Sequence, residues 1–439
     1  MPKTGKCPSI WISILQSKHN PEGSPGKAKN SARQIKSQLE NWTLENFQVS
    51  EEEGKLRFHD LDLPDEVMQG IQAQGYQYCS PIQALTLPES LQSMDITGKA
   101  QTGSGKTAAF LISMMTDFLD FPIEGPRRLG TPRALIVAPT RELVMQIASD
   151  ADQLTQFTDM RVRQLVGGMD FEAQQRQLQK GHVDILVATP GRLLDFCRRG
   201  HVNLREVEVL VLDEADRMLS MGFIPDVRAI IRQTPKKQDR QTLLFSATFS
   251  EQILRLAEQW TFEPVHIEIE PENLAAETVE QRFLSVSSFD KYRVLLNSLK
   301  SGSVKRAIVF ANRRHVTREL AERLQRDGIS SALLSGEVAQ QKRVKTLERF
   351  RTGETPVMVA TDVAGRGIHV EGVSHVFNYD LPEELEDYVH RIGRTGRAGA
   401  SGVAISFASE DDAFLLPDLE ALLGKPITCE PVPEKLLEG

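Results

Sequence analysis

Short runs of apolar residues recur along the first half of the chain and alternate with longer stretches of helical character. Four of these runs cover residues 134–138, 185–188, 207–212 and 242–245. Continuous apolar runs of this length are typical of strands that are buried on both faces of a parallel sheet. Their alternation with helices predicts an α/β fold, in which helices flank a mostly parallel sheet.

The same rhythm returns in the second half, where the clearest runs cover residues 306–310, 357–360 and 375–378. Residues 268–279 separate the two series, and they indicate a linker because they are acidic and lack strong periodicity. A chain of 439 residues is also long for one domain. The pattern therefore predicts two tandem domains of similar ATPase-type fold. These predicted domains are residues 57–267 and 280–439.

Residues 1–56 are predicted to form a basic and polar N-terminal extension that is largely disordered. In residues 1–40, seven lysines and arginines stand against two glutamates, whereas the whole chain has a net charge of −8. The total charge argues against a uniformly basic nucleic-acid binder but allows a local basic track. The extension is either a passive solubilising tail or an auxiliary arm that binds RNA or a partner. The tail after Ser409 is acidic.

The cysteines and the hydropathy of the chain indicate a protein of the reducing cytoplasm. Cys7, Cys79, Cys197 and Cys429 are widely scattered and form no CxxC pair, so we expect inert thiols rather than a metal site or disulfides. No apolar run approaches the roughly 18 residues of a membrane span. Residues 1–20 lack a convincing secretory signal.

Residues 100–107 have the composition of a phosphate-binding loop, although Ala100 stands at the first glycine position of the usual pattern. Glycines that take positive φ allow backbone N–H groups to approach phosphate. Lys106 is expected to pair with the β and γ phosphates, and Thr107 to reach Mg²⁺. The loop residues predicted to bind ATP are Gln101, Thr102, Gly103, Ser104, Gly105, Lys106 and Thr107.

Asp213 and Glu214 follow the apolar run 207–212 and complete the predicted ATP site. Asp213 is expected to hold Mg²⁺ directly, and Glu214 to hold it through water. A carboxylate beside the metal ligand can orient or deprotonate the attacking water. The two motifs together predict an ATPase.

Further short motifs follow predicted strands of the first half. Each of them is weak evidence for ligand binding by itself. Caps, turns and surface arginines explain such motifs more often than ligand binding does. Together, however, they place N–H, hydroxyl and guanidinium groups where a phosphate backbone is gripped without reading bases. The candidates are Pro139, Thr140, Arg141, Gly168, Thr189 and Arg192.

A run of arginines and glycines extends from His390 to Arg397 in the second predicted domain. Glycines around arginines allow a tight backbone to present fixed guanidinium groups. Because the run lies far downstream of the phosphate loop, it completes an ATP site only if the domains close. Arg394 and Arg397 are then arginine fingers on the γ-phosphate.

In their order and composition, the motifs from about Phe58 to about Arg397 closely resemble those of the DEAD-box RNA helicases of superfamily 2. The resemblance implies two RecA-like domains and ATP-driven remodelling of RNA duplexes without translocation. It also implies that Gln83 hydrogen-bonds the adenine edge, that Tyr76 stacks on the ring and that Phe58 belongs to the same motif. The implied residues that couple hydrolysis to unwinding are Ser246, Thr248 and His390.

In the second domain, the resemblance implies that Asp362 lies on the nucleotide side. Gly365 replaces the commoner alanine and His369 the commoner aspartate, which leaves the RNA contact near His369 open. The implied RNA contacts of this domain are Asn312, Gln340, Arg343, Thr361, Arg366 and Gly367.

Within the family, the residues Tyr78-Cys79, the run 367–369 and the run 398–402 are most similar to the bacterial RhlB group. That similarity implies work in mRNA turnover, commonly beside an endoribonuclease scaffold. Contacts to phosphate and 2′-hydroxyl groups imply low sequence specificity and a preference for RNA over DNA. Two other functions stay open: an ATP-gated RNA clamp that nucleates a complex, and a helicase that acts on DNA.

Overall fold

The computed structural model describes residues 42–100, 103–269, 279–334, 340–362, 370, 372–396 and 402–438. Within these ranges the chain forms two sheets, each with seven strands. Every pair of neighbouring strands is parallel. The predicted α/β fold with two tandem sheets is confirmed. Most of the predicted linker lies outside the described residues.

The first sheet has the strand order β3-β4-β2-β5-β6-β1-β7. Its strands are β1 (Ile96–Lys99), β2 (Ala134–Val137), β3 (Val162–Leu165), β4 (Ile185–Ala188), β5 (Val209–Leu212), β6 (Gln241–Ser246) and β7 (Val265–Glu268). The helices are α1 (Asp65–Ala73), α2 (Pro81–Ser90), α3 (Lys106–Asp120), α4 (Arg141–Leu154), α5 (Phe171–Leu178), α6 (Pro190–Arg198), α7 (Ala215–Ser220), α8 (Ile224–Ile231) and α9 (Glu251–Trp260).

The second sheet has the strand order β10-β11-β9-β12-β13-β8-β14. Its strands are β8 (Val279–Ser285), β9 (Ala307–Phe310), β10 (Ser331–Leu334), β11 (Val357–Ala360), β12 (His375–Asn378), β13 (Gly402–Ala408) and β14 (Cys429–Pro431). The helices are α10 (Lys291–Lys300), α11 (Arg314–Arg326), α12 (Gln340–Arg351), α13 (Glu386–Ile392) and α14 (Leu416–Leu423).

The two sheets have the same topology, since each strand of the second sheet takes the place held in the first by the strand seven numbers lower. Thus β8 corresponds to β1, and β12 corresponds to β5. This equivalence is the physical basis of the repeated strand–helix rhythm in the sequence. In both sheets the loops that follow the strands meet at the carboxyl edge, where ligands of open α/β sheets bind.

The apolar runs are buried on both faces, as their composition predicts. In β2, Ala134 and Ile136 pack into one core cluster, whereas Leu135 and Val137 pack into the cluster on the other side of the sheet. The outer helices are amphipathic by contrast. In α9 the buried residues follow the i, i+3, i+4, i+7 spacing of one helical face. They are Ile253, Leu256, Ala257 and Trp260.

Residues 42–56 pack against the first domain. Phe47 belongs to its core with 7% of its surface exposed, Trp42 Nε1 donates to Gln72 Oε1 at 2.7 Å, and the Tyr78 hydroxyl donates to the Ser50 carbonyl at 2.7 Å. The prediction of a largely disordered extension over residues 1–56 does not hold for residues 42–56, which are anchored by these contacts, and residues 1–41 lie outside the described ranges. Within those ranges, none of the helices combines the length and the apolar composition needed to span a bilayer.

We predict that Phe47→Ala lowers the free energy of unfolding of the first domain by about 3 kcal/mol, because it removes a buried ring from a packed core. The matched control is Leu44→Ala, since Leu44 is 43% exposed in the same segment and should cost less than about 1 kcal/mol. Urea unfolding of both variants measures the difference. Equal losses would contradict the packing of residues 42–56 on the core.

Candidate active site

The two glycines of the loop between β1 and α3 have the positive φ angles that an anion-binding turn uses. Gly103 has φ +90° and Gly105, which precedes α3, has φ +97°, so both predicted glycines occupy the left-handed region that excludes most side chains. A Cβ atom on Gly105 would also lie 2.7 Å from Ser80 Oγ. Gln101 and Thr102 lie outside the described residues.

A buried ion pair joins the start of α3 to the end of β5. Lys106 Nζ lies 2.6 Å from Asp213 Oδ1, and the two side chains are 4% and 0% exposed. Burial alone would lower the pKa of Lys106, but the carboxylates of Asp213 and Glu214 outweigh burial and raise it. Lys106 is therefore a fixed positive charge at the place where the sequence predicts phosphates.

The oxygen atoms beside this ion pair suit a divalent cation. Asp213 Oδ2 is buried and has no hydrogen-bond partner within the described part of the chain. A buried carboxylate oxygen without a partner is costly unless a ligand satisfies it. Thr107 is the second residue of α3 and carries the hydroxyl expected beside it. The residues thus fit the predicted Mg²⁺ site.

Glu214 is held in a strained and fully ionised state. Its backbone lies in the left-handed region at φ +54° and ψ +54°, immediately before α7, which is uncommon for a residue other than glycine. Burial favours a higher pKa for Glu214, but Arg217 and Lys106 outweigh it and lower the pKa to about 2. The Arg217 Nη1 group donates to Glu214 Oε2 at 2.7 Å. An ionised carboxylate held in this way can accept a hydrogen bond from water.

Asp216 connects the end of β5 to the end of β6. Its Oδ2 atom accepts hydrogen bonds from the backbone of Ala247 and of Thr248, both at 3.0 Å. Its own backbone N–H donates to Ser246 Oγ at 3.2 Å, and that hydroxyl donates to the Thr248 carbonyl at 2.8 Å. The predicted coupling residues Ser246 and Thr248 are therefore tied directly to the loop that carries Glu214.

Gln83 braces the phosphate loop from the side. Its Oε1 atom accepts from the Ser80 backbone at 2.8 Å, and its Nε2 group donates to the Gly105 carbonyl at 3.0 Å. Ser80 Oγ donates to the Ser104 carbonyl at 2.8 Å, so the serine hydroxyl also holds the loop.

Tyr76 and Phe58 have different places at the predicted adenine end. Tyr76 lines the same pocket as Gln83 and Lys106 and is 38% exposed. Phe58 is fully buried behind it, with the ring centroids 6.4 Å apart. Tyr76 is thus available to a base, whereas Phe58 supports Tyr76 and does not face the pocket.

The second domain closes over the phosphate end of this site. His390 and Arg394 line one pocket together with Lys106, Glu214 and Arg217 of the first domain. Arg394 is 5% exposed, and its Nε group donates to the His390 carbonyl at 2.9 Å. The structure therefore brings one of the two predicted fingers to Glu214. Arg397, the other predicted finger, lies outside the described residues.

Arg391 is hydrogen-bonded to two residues of the second domain that the sequence predicts to contact nucleotide or RNA. Its guanidinium is 1% exposed and donates to both carboxylate oxygens of Asp362, at 2.6 and 2.7 Å. It also donates to Asn312 Oδ1 at 2.7 Å. Asp362 and Asn312 are thus held in a network inside the domain, and their expected contacts with nucleotide and RNA stay predictions.

A second ion pair crosses between the domains. Arg343 Nη2 of α12 lies 2.8 Å from Glu142 Oε1 of α4, and the two side chains are only 8% and 9% exposed. The sequence predicts Arg343 as an RNA contact, whereas the structure shows its guanidinium paired across the cleft. Thr361 is buried, Gln340 begins α12, and Arg366 and Gly367 lie outside the described residues.

The predicted RNA contacts of the first domain follow the neighbouring strands β3, β4 and β2. Gly168 has φ +73°, and a Cβ atom there would lie 2.3 Å from Arg141 Nη1, so the glycine allows the guanidinium to pack on the loop. Arg192 Nη1 donates to the Met169 carbonyl at 3.1 Å. Thr140 caps α4 through Leu143 N–H. Of the remaining two candidates, Thr189 directly follows β4, and Pro139 lies two residues after the end of β2.

Two family descriptions match the chain in the order of its domains. The DEAD/DEAH box helicase family matches residues 80–256, and the helicase conserved C-terminal domain matches residues 290–399. The first match contains the Lys106–Asp213 pair, and the second contains Arg391 and Arg394.

Curated relatives extend the similarity over most of the chain. The ATP-dependent RNA helicase RhlB of Pseudomonas putida is 59% identical over 390 residues, which cover 89% of this chain and 98% of the relative. The RhlB helicase of Shewanella sp. strain ANA-3 is 46% identical over 84% of each chain. The chain belongs to the DEAD-box family of ATP-dependent RNA helicases. The resemblance predicted from its motifs, including the similarity to RhlB, is confirmed.

Solved structures share the two-domain architecture of this DEAD-box helicase. Dbp5 of S. cerevisiae bound to RNA and ADP BeF3 is 29% identical with a TM-score of 0.76, over 87% of this chain and 100% of that one. Mss116p bound to ssRNA and AMP-PNP is 28% identical with a TM-score of 0.78, over 89% of this chain and 84% of that one. The two domains are therefore RecA-like, and the enzyme is an RNA-dependent ATPase.

Three residues contact the site of this DEAD-box helicase although the sequence analysis predicts no role for them. Asp216 is the last residue of the four-residue run that begins at Asp213, and its place in that run is the only sequence feature that points to it. Arg217 contacts Glu214, and its Nε and Nη2 groups are buried without a hydrogen-bond partner among the described residues. Arg391 lies inside the run 390–397, but nothing in the sequence separates it from the predicted fingers.

We predict that Arg343→Glu lowers RNA-stimulated ATP hydrolysis of the DEAD-box helicase by at least about 10-fold, because it places a second buried carboxylate against that of Glu142. The exchange variant Glu142→Arg/Arg343→Glu should recover part of this loss, and the same exchange at the exposed pair Glu251–Arg255 should change little. Absence of recovery would show that Arg343 acts through RNA and not through Glu142.

Proposed function

We propose that this RNA helicase locally separates RNA duplexes by closing its two domains on ATP and RNA and reopening after hydrolysis. One observation carries the proposal: Lys106 and Glu214 of the first domain line a pocket together with His390 and Arg394 of the second. Chemistry at this pocket requires the two domains to be together, so hydrolysis reports on closure.

The proposed roles of the ATP-site residues follow from their positions. Lys106 binds the β and γ phosphates, Glu214 orients the attacking water, and Arg394 stabilises charge on the transferring phosphoryl group with Arg397. Thr107 and Asp213 would hold Mg²⁺, with Glu214 contacting it through water. The metal ion supplies neutralisation of the phosphate charge when it is bound. Tyr76 and Gln83 bind adenine.

The proposed RNA path runs along the loops after β3, β4 and β2 and continues onto the second domain. Backbone N–H groups, threonine hydroxyls and guanidinium groups contact phosphate and 2′-hydroxyl groups, so we expect low sequence specificity. The first domain's contacts bend one strand, and the partner strand leaves because a duplex cannot follow the bend without losing base pairs.

The proposed biological role is mRNA turnover in the cytoplasm, commonly beside an endoribonuclease scaffold. It is supported by the similarity to RhlB helicases, which extends over most of the chain. The cysteines within the described residues, Cys79, Cys197 and Cys429, are free thiols, which fits a reducing compartment.

The proposed function predicts that single-stranded RNA stimulates steady-state ATP hydrolysis strongly and that DNA of the same sequence does not, because only RNA offers the 2′-hydroxyl contacts. The measurement compares turnover without nucleic acid, with RNA and with DNA. Equal stimulation by both would favour a DNA-acting enzyme. Stimulation by RNA without strand separation in a duplex assay would favour an ATP-gated clamp.

We also predict that Glu214→Gln lowers ATP turnover by about 10² to 10⁴-fold, keeps ATP binding and retains RNA for longer, because closure precedes chemistry. Glu206→Gln, at an exposed position, is the control and should behave like the parent enzyme. RNA retention is measured by dissociation of a labelled strand with excess ATP. Normal turnover in Glu214→Gln would remove this residue from its proposed role.

A further inference from the structure

The second domain has a pocket at the edge of its sheet where the first domain has its phosphate loop. In the first domain, the loop after β1 leads into α3 at Lys106. In the second, the loop after the equivalent strand β8 leads into α10, and the first residue of that helix is again a lysine, Lys291. The repeated topology thus places a lysine at the same point of each sheet.

The carboxylate partner of the lysine is repeated as well. Lys291 is 6% exposed, and its Nζ atom lies 3.3 Å from Asp412 Oδ2 and 3.8 Å from Asp380 Oδ1. Asp380 follows β12, the counterpart of the strand β5 that delivers Asp213. The Lys106–Asp213 arrangement therefore has a counterpart in the second domain.

The loop of the second domain has lost the features that hold phosphate. Residues 286–290 contain no glycine, and Asp290 stands where Gly105 precedes the helix in the first domain, at φ −92°. The backbone N–H groups of Asp290 and Lys291 donate to the Ser287 carbonyl at 2.9 and 3.1 Å. These N–H groups are used inside the turn, and the Asp290 carboxylate would repel an anion.

The charges around the pocket favour a cation. Five carboxylates line it against three cationic side chains. Lys291 is paired with Asp380 and Asp412. The other three carboxylates stand against Arg313 and Arg323, and the Arg323 guanidinium is stacked on the ring of Tyr292 at 3.6 Å, so the lining stays negative overall. The lining carboxylates are Glu319, Asp380, Glu383, Asp411 and Asp412.

Two exposed aromatic residues lie next to lining residues of this pocket in the sequence. Phe289 is 96% exposed and Phe414 is 88% exposed. Phe289 adjoins Ser288, and Phe414 follows Asp412 by two residues, and both Ser288 and Asp412 line the pocket. Exposed aromatic groups around a charged depression are typical of protein-binding surfaces and not of a solvated face.

We infer that this pocket is a degenerate nucleotide site that docks an arginine- or lysine-bearing segment of a partner protein. In the first domain, the equivalent pocket is completed by the cationic side chain of Arg394 from the neighbouring domain. The pocket of the second domain lies at the same edge of its sheet and is lined by carboxylates. A basic side chain of the partner therefore enters among the carboxylates, while apolar side chains next to it in the partner cover Phe289 and Phe414. The inference holds whether or not the helicase acts in mRNA turnover.

The test uses the full chain and a labelled 15-residue peptide of alternating arginine and leucine, with a citrulline version as its uncharged match. Binding is measured by fluorescence polarisation for the parent and two double variants with the same charge change. Glu319→Lys/Asp411→Lys reverses two exposed lining carboxylates. Glu322→Lys/Asp418→Lys reverses two exposed carboxylates that do not line the pocket. Glu322 lies on α11, which also carries Glu319, and Asp418 lies on α14.

We expect the lining variant to bind the arginine peptide at least about 10-fold more weakly than the parent, and the control variant to bind within about twofold of it. The citrulline peptide should bind weakly to all three proteins. Phe289→Ser/Phe414→Ser should also weaken binding, whereas Phe121→Ser, at an exposed ring of the first domain, should not. RNA-stimulated ATP hydrolysis should be unchanged in all these variants, which verifies their folding.

Several results would overturn the inference. Equal losses of peptide affinity in the lining and control variants would show that binding depends only on the net charge of the protein. Absence of arginine-peptide binding by the parent would show that the pocket is not a docking site. Tighter peptide binding after deletion of residues 1–41 would assign the pocket to the chain's own basic arm. Two bound nucleotides per chain, with an ATP analogue, would show that the second pocket still binds phosphate.

Discussion

The buried contact between Lys106 and Asp213 determines how the rest of the catalytic region must be built. Bringing two charges out of water is costly, and the cost is offset only if the geometry is well fixed. The left-handed glycines of the loop, the brace that Gln83 provides and the parallel placement of β1 and β5 all serve this requirement. The pair in turn determines where phosphate charge and a cation find complementary partners, so the site is prepared by the fold before chemistry begins.

The second constraint is that the chemistry is divided between two domains of the same topology. One copy supplies the loop and the carboxylates, and the other supplies Arg394 and His390. The buried pair Glu142–Arg343 adds a second contact between the two domains. In the proposed function, domain closure is the common step for ATP and RNA, and the strained backbone of Glu214 lies in the pocket where the two domains meet.

Much of this organisation can be predicted from the sequence because it rests on local patterns. Apolar runs define strands, and a glycine-rich loop or an Asp-Glu pair after a strand defines the phosphate site. What the sequence does not provide is the partner of a side chain. Arg343 was predicted to contact RNA and is paired with Glu142, and Phe58 supports Tyr76 from behind. Arg391 and Arg394 lie three residues apart with the same chemistry, and only the packing separates the buried anchor from the residue that faces Glu214.

The brace between Gln83 and the Gly105 carbonyl has a consequence for nucleotide selection. The amide that is expected to read the base also holds the backbone of the loop that receives the phosphates. A nucleotide with a different base would thus be bound by an enzyme whose loop is less well supported. Discrimination between bases would then appear in the rate of the chemical step more than in the affinity for the nucleotide.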